Sequence, residues 1–153
     1  MSAQPNNRRT ARGIATVEFV ICAPVLFLLM LGTAEVGRLM FQYNTLTKTV
    51  RDGARYVASR AAVGTTRVVN ITVPVRDETR NLVVTGNTAG TGSPLLPGFA
   101  VGSVTVSNAG NGFVSVTATY TFEPVLTSLP SFGSGASINL AMPLTATVIM
   151  RAL

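Results

Sequence analysis

The sequence contains no histidine, one cysteine, one lysine and only six carboxylates in 153 residues. Without histidine there is no Ser-His-Asp or Cys-His arrangement and no imidazole metal site. The single Cys22 excludes an internal disulfide and a cluster of thiolate ligands. Glu18, Glu35, Asp52, Asp77, Glu78 and Glu123 are scattered; only Asp77 and Glu78 are neighbours, and the spacing points to no acid–base pair. These absences point away from an enzyme, a cofactor, a metal centre and a small-molecule substrate. The net charge is +6 and the isoelectric point is near 10.8. A nucleic-acid footprint would be a face of clustered Lys and Arg. Three of the twelve basic residues (Arg8, Arg9, Arg12) instead sit in a short N-terminal stretch without an acid, so no nucleic-acid partner is expected. Charge is scarce overall: 12% of residues, about half the roughly 25% of soluble domains, against 47% hydrophobic. That balance predicts a segment placed in a membrane or against another chain.

Four zones separate by composition. Residues 1–13 (MSAQPNNRRTARG) are polar and basic and read as disordered; residues 14–34 are apolar except for Glu18. Residues 35–62 have the pattern of an amphipathic helix, and residues 63–153 are rich in Val, Thr, Ser, Gly and Asn in short alternating runs. The apolar zone from Ile14 to Ala34 gives about 31 Å of helix, enough to cross a hydrocarbon core of roughly 30 Å. Spanning requires Glu18 to be accommodated near one membrane face, and an ionisable residue there marks a functional position. Pro24 is expected to kink the helix, which membrane helices tolerate.

An apolar stripe continues through Val36, Leu39, Tyr43, Leu46, Val50, Ala54, Val57 and Ala61 in steps of three and four. Lys48, Asp52 and Arg55 lie off it at spacings that allow surface pairing, as do Glu35 and Arg38. Gly64 supplies a stop. A helix over residues 14–62 would be about 73 Å long, a membrane stalk whose outer half packs on a partner or on the C-terminal domain.

Beyond Gly64 the period changes. Residues 66–73 read as strand or extended linker. Residues 74–84 read as a short helix, with proline near its start, acids in its first turn and Gly86 past its end. Residues 87–98 are a loop by composition. Strands are expected over 101–107, 113–122 and 137–149, the first two joined through Asn108-Ala-Gly-Asn-Gly112. The fold class is α+β: a long N-terminal membrane-spanning helix continuing into an amphipathic stalk, packed on a small antiparallel sheet with one apolar face.

The N-terminal stretch reads Arg8-Arg9-Thr-Ala-Arg12-Gly13, then Ile14-Ala-Thr-Val-Glu18-Phe19, then the apolar run. A basic leader ending in glycine, followed by four residues, a glutamate and an aromatic, resembles the cleavage site of type IV prepilins. The resemblance implies a membrane-embedded prepilin peptidase cutting between Gly13 and Ile14. Glu18, one turn from the freed amine, would offer a counter-charge to a neighbouring subunit's N-terminus.

Residues 9–60 more closely resemble a minor pilin or pseudopilin of the TadE-like (TadE/TadG) family of tight-adherence pilus systems. The matching pieces are GIATVEF, the proline-containing apolar helix, AEVGRLMF and RDGARYVA, with weaker echoes at 81–87, 94–98 and 114–125. The resemblance implies a bacterial single-pass protein of the cytoplasmic membrane, N-terminus in and C-terminal domain outside. Its partners would be the prepilin peptidase, other pilin or pseudopilin subunits and the Tad assembly platform. It also marks Arg51, Asp52, Arg55 and Tyr56 as a candidate subunit contact beside their plain reading as a solvated helix face.

A conventional secretory signal is the rival: a basic start, Phe19–Leu31 as apolar core and Gly32-Thr33-Ala34 as cleavage site. Glu18 at the apolar boundary and the stripe running through residue 34 weigh against it. Basic residues flank both sides of the span, so orientation rests on the tight N-terminal cluster and the resemblance. The alternative function is a membrane-anchored extracytoplasmic binding or adhesion module that is not polymerised.

Overall fold

A computed structural model of the chain describes residues 8–63, 66–125, 128–130, 137–139 and 141–153. The chain forms two units, residues 1–38 and residues 39–153. Helix α1, Arg8–Arg60, contributes to both.

In the first unit, every described residue is helical. Residues 8–13 read as disordered from composition; they instead open α1, because Arg and Ala are strong helix formers and no proline or glycine falls between Arg8 and Arg12. Pro24 lies inside the helix. Ile14, Phe19, Ile21, Leu26, Phe27 and Leu29 are all more than half exposed. Large apolar side chains left open in this number need a non-aqueous surrounding. Among the described residues α1 is the one helix long and apolar enough to cross a membrane, which makes it compatible with a single-pass anchor. Two side-chain bonds follow the helical spacing. Thr33 Oγ1 donates to Met30 O at 2.8 Å, and the expected Glu35–Arg38 ion pair closes at 3.1 Å.

The second unit is an α+β domain built on the last part of α1. Leu46, Val50, Ala54, Val57 and Ala61 of the expected stripe are fully buried, whereas Val36 and Tyr43 are exposed and Leu39 is only partly covered. Periodicity marked the apolar face but not how far a covering layer reaches along it. The helix ends at Arg60 rather than near residue 62. Arg60 in the last turn complements the helix dipole, and Ala62–Val63 (β1) pairs antiparallel with Thr66–Val69 (β2). The proposed stop, Gly64, lies outside the described residues.

Helix α2, Val73–Thr85, confirms the expected helix and extends it by a residue at each end. Thr72 is extended at its start, proline occupies the first turn, and Gly86 closes the C-terminus with φ +79° and an N–H to Leu82 O at 2.9 Å. Asp77 and Glu78 fall beyond the first turn, so the helix start does not depend on them. In the following loop, Asn87 bonds Thr91 through both side-chain atoms, and Leu95 N–H donates to Val84 O at 2.8 Å. These bonds bring Leu96 and Phe99 into the core.

The main sheet has the order β3–β4–β7: Val104–Gly110, Phe113–Phe122 and Met142–Arg151, all antiparallel. Residues 101–103 form a 3-10 turn instead of the start of β3. The strand then runs on to Gly110, so the β3–β4 connection is the two-residue turn Asn111-Gly112, both with positive φ (+52° and +81°). The third expected strand divides. Ser137–Asn139 (β6) pairs with Ser128–Pro130 (β5), a short strand not foreseen, while Met142–Arg151 forms β7. Val114, Val116, Ala118, Tyr120 and Phe122 of β4 face inward, as its alternation predicted. They join α1, α2 and Val104 in one core, with the Phe99 and Tyr120 rings edge-to-face at 5.9 Å.

Candidate functional site

The first candidate region is the start of the apolar helix. Gly13, Ile14, Glu18 and Phe19 all lie on α1 and are exposed, Ile14 and Phe19 by 69% and 64%. Ile14 and Glu18 stand one helical turn apart. A Cβ built on Gly13 would meet nothing within 4 Å. Glycine inside a helix costs roughly 0.5–1 kcal/mol relative to alanine, so no packing requirement offsets that cost here. Glu18 forms no ion pair among the described side chains.

The second region, residues 51–56, divides by environment. Arg51, Asp52 and Arg55 are exposed on α1. The expected pairing of Asp52 with Lys48 or Arg55 does not form; the described ion pairs are Glu35–Arg38 and Asp77–Arg80. Solvated side chains at these spacings gain too little to overcome their own freedom.

Gly53 and Tyr56 face α2, and Ala54 is buried in the core. A Cβ on Gly53 would overlap Val83 Cγ2 and approach Thr79 Cγ2 to 3.4 Å, so glycine there permits close packing of the two helices. Tyr56 Oη donates to Glu78 Oε2 at 2.6 Å, and the Arg60 guanidinium lies over the Tyr56 ring at 4.9 Å. The Glu78 hydrogen bond holds the Tyr56 phenol above its ordinary pKa; desolvation adds to this and Arg60 opposes it. Of the four residues considered as a subunit contact, Tyr56 is thus engaged within its own domain, while the three charged ones remain on the surface.

From the sequence alone Gly53, Arg60 and Thr79 carry no site role, and Glu78 stands only as the neighbour of Asp77. A glycine inside an amphipathic helix, one step before a buried stripe position, was the available signal for Gly53. Nothing local marked its partners on α2, more than twenty residues away.

The outward face of the main sheet is a third surface. Thr117 and Thr147 are hydrogen-bonded across the strands at 3.0 Å, and Thr119 and Thr145 lie 3.4 Å apart. Thr105 and Ser107 of β3 continue the hydroxyl pattern, and Arg151 is the charged residue at its end. Among the described residues, no three of the Cys, Asp and Glu side chains gather where they could hold a metal ion.

Neither a curated protein nor a solved structure matches the chain. Residues 56–153 fall outside the family match. That match runs from Gly13 to Arg55, where the chain is similar to the family model described as TadE-like protein.

Proposed function

We propose that this chain is a minor pilin or pseudopilin of a Tad-type pilus system, cut by a prepilin peptidase after Gly13. The observation that carries the reading is Gly13 itself. The family match begins there, and among the described residues its missing side chain serves no packing. A peptidase that must bring its catalytic groups to the peptide bond gives that smallness a purpose. The cut would free the amine of Ile14 one turn from Glu18, whose carboxylate then offers a charge-assisted partner to a neighbouring subunit's terminus inside an apolar bundle. The exposed apolar face of residues 14–31 supplies the surface that bundles. Cleavage leaves the basic stretch on the cytoplasmic side of a bacterial inner membrane, with residues 39–153 outside it. The role is assembly or priming with other subunits and the platform, not catalysis.

The sheet's hydroxyl-rich outer face favours one other reading, a membrane-anchored adhesion or binding module that never polymerises. Sheared surface fractions from the native host separate the two. Recovery of the processed protein with the pili supports the pilin, and exclusive retention in the membrane supports the anchored module.

A further inference from the structure

The two edges of the main sheet are treated differently. The β3 edge carries a bulge between Asn108 and Gly110. Arg80 Nε donates to the Val104 carbonyl at 3.1 Å, and Asn108 Nδ2 donates to Val69 O at 3.4 Å. Bulges and covering side chains are the usual means of preventing an edge from pairing. Among the described residues, the β7 edge carries neither over Met142–Arg151; just past the strand, Leu153 N–H donates to Ala58 O at 3.0 Å. The strand is ten residues long, pairs with β4 without interruption, and carries no charge before its last residue, Arg151.

Which backbone groups β7 turns outward follows from its ladder. Ala152 N–H donates to Gly112 O at 2.9 Å, so by strand alternation the even-numbered residues direct their backbone groups to β4. The odd-numbered ones direct theirs away. The outward set is Pro143, Thr145, Thr147, Ile149 and Arg151. Proline fits this set, since its missing N–H falls on the open side.

The sequence of this edge has a partial mirror symmetry, with two of its four mirrored pairs identical and a third conservative. In Met-Pro-Leu-Thr-Ala-Thr-Val-Ile-Met, residues 142–150, Ala146 is the centre. Thr145 mirrors Thr147, Leu144 mirrors Val148, Pro143 mirrors Ile149 and Met142 mirrors Met150. We propose that β7 is the seam of a homodimer, in which the β7 edges of two copies pair antiparallel about a twofold axis at Ala146. The two three-stranded sheets thereby become one continuous sheet.

In that register the threonines meet threonines and the inward aliphatic side chains meet aliphatic ones, each on the correct face. Thr145 and Thr147 lie opposite each other on the hydroxyl face, and Leu144 lies opposite Val148 on the core face. Thr145 and Thr147 belong to the outward set, so they exchange backbone hydrogen bonds across the axis, and Ile149 N–H reaches the Pro143 carbonyl. Arg151 falls opposite Ala141, so the register sets no like charges against each other. The same patch serves both copies, as a closed twofold contact requires. This contact is independent of cleavage at Gly13.

The test uses the full chain in detergent micelles, with mass read by sedimentation and native mass spectrometry. The expected species is a dimer of the 16.0 kDa chain. Joint Thr145→Lys and Thr147→Lys substitution sets lysine against lysine on both sides of the axis and should weaken the dimer by at least about tenfold. Joint Thr145→Glu and Thr147→Glu substitution should do the same, and mixing the two variants should give a heterodimer. A misfolded variant would not reproduce that rescue. A second measurement is independent of these charges. In a Cys22→Ser background, a Thr145→Cys copy mixed with a Thr147→Cys copy should join through a short thiol crosslinker, and Thr119→Cys copies should not. A monomeric parent chain leaves the edge to some other extended segment and overturns the proposal. So does a dimer indifferent to the lysines, or absence of the 145–147 crosslink.

Discussion

Gly53 of α1 and Val83 of α2 lie so close that a side chain at position 53 would occupy the space of Val83 Cγ2. Val83 is fully buried, as is Thr79 beside it, so neither can swing into solvent. Gly53→Ala should therefore destabilise the domain by about 1–3 kcal/mol through overpacking. Thermal unfolding of the full chain in detergent measures this. Val83→Ala removes the overlapping methyl, so the double variant should lose less stability than the two single losses combined.

Tyr56 and Glu78 make the neighbouring contact, and its pH dependence has a definite sign. The phenol's folded pKa is raised above its ordinary value of 10.0. Its contribution is therefore complete below that ordinary value and is lost as pH rises through the raised folded one. Stability measured from pH 8 to pH 11.5 should fall more steeply for the parent than for Tyr56→Phe, with the curves converging at the alkaline end. The pair is partly solvated, so the gap at neutral pH should stay below about 1 kcal/mol.

Glu18 is exposed on α1 and has no packing role in the chain. Glu18→Ala should leave leader cleavage largely intact and should strongly reduce incorporation into pili, read from sheared fractions. Normal assembly of this variant would remove the charge-pairing role.

Gly13 gives the complementary result. Open space surrounds it, so Gly13→Leu should leave the fold and its unfolding temperature unchanged while blocking maturation. Efficient maturation of that variant would remove the peptidase assignment.

The elements that could be read from the sequence were those with one dominant local signal. The alternation of residues 113–122 placed β4 and its inward face, and the proline and Gly86 bracketed α2. The unbroken apolar run and following stripe placed α1. The misreadings arose where distant partners decide. Val36 and Tyr43 continue the helical period but remain exposed, since period does not reveal where cover begins. The strand expected over 137–149 divides because β6 pairs with Ser128–Pro130, a segment too short to alternate. The functional region divides similarly. Gly13 and Glu18 were legible because their pattern lies within six residues. The roles of Gly53 and Tyr56 depend on α2 and emerge only when Val83 and Glu78 are brought against them.

The central claim is cleavage between Gly13 and Ile14, and the most direct test is the N-terminus of the mature protein, by mass spectrometry of membrane fractions from the native host. The account predicts a chain starting at Ile14. A chain starting at Glu35 would mean an ordinary exported domain, and a terminus that is intact or lacks only Met1 would mean a simple membrane anchor; either contradicts it.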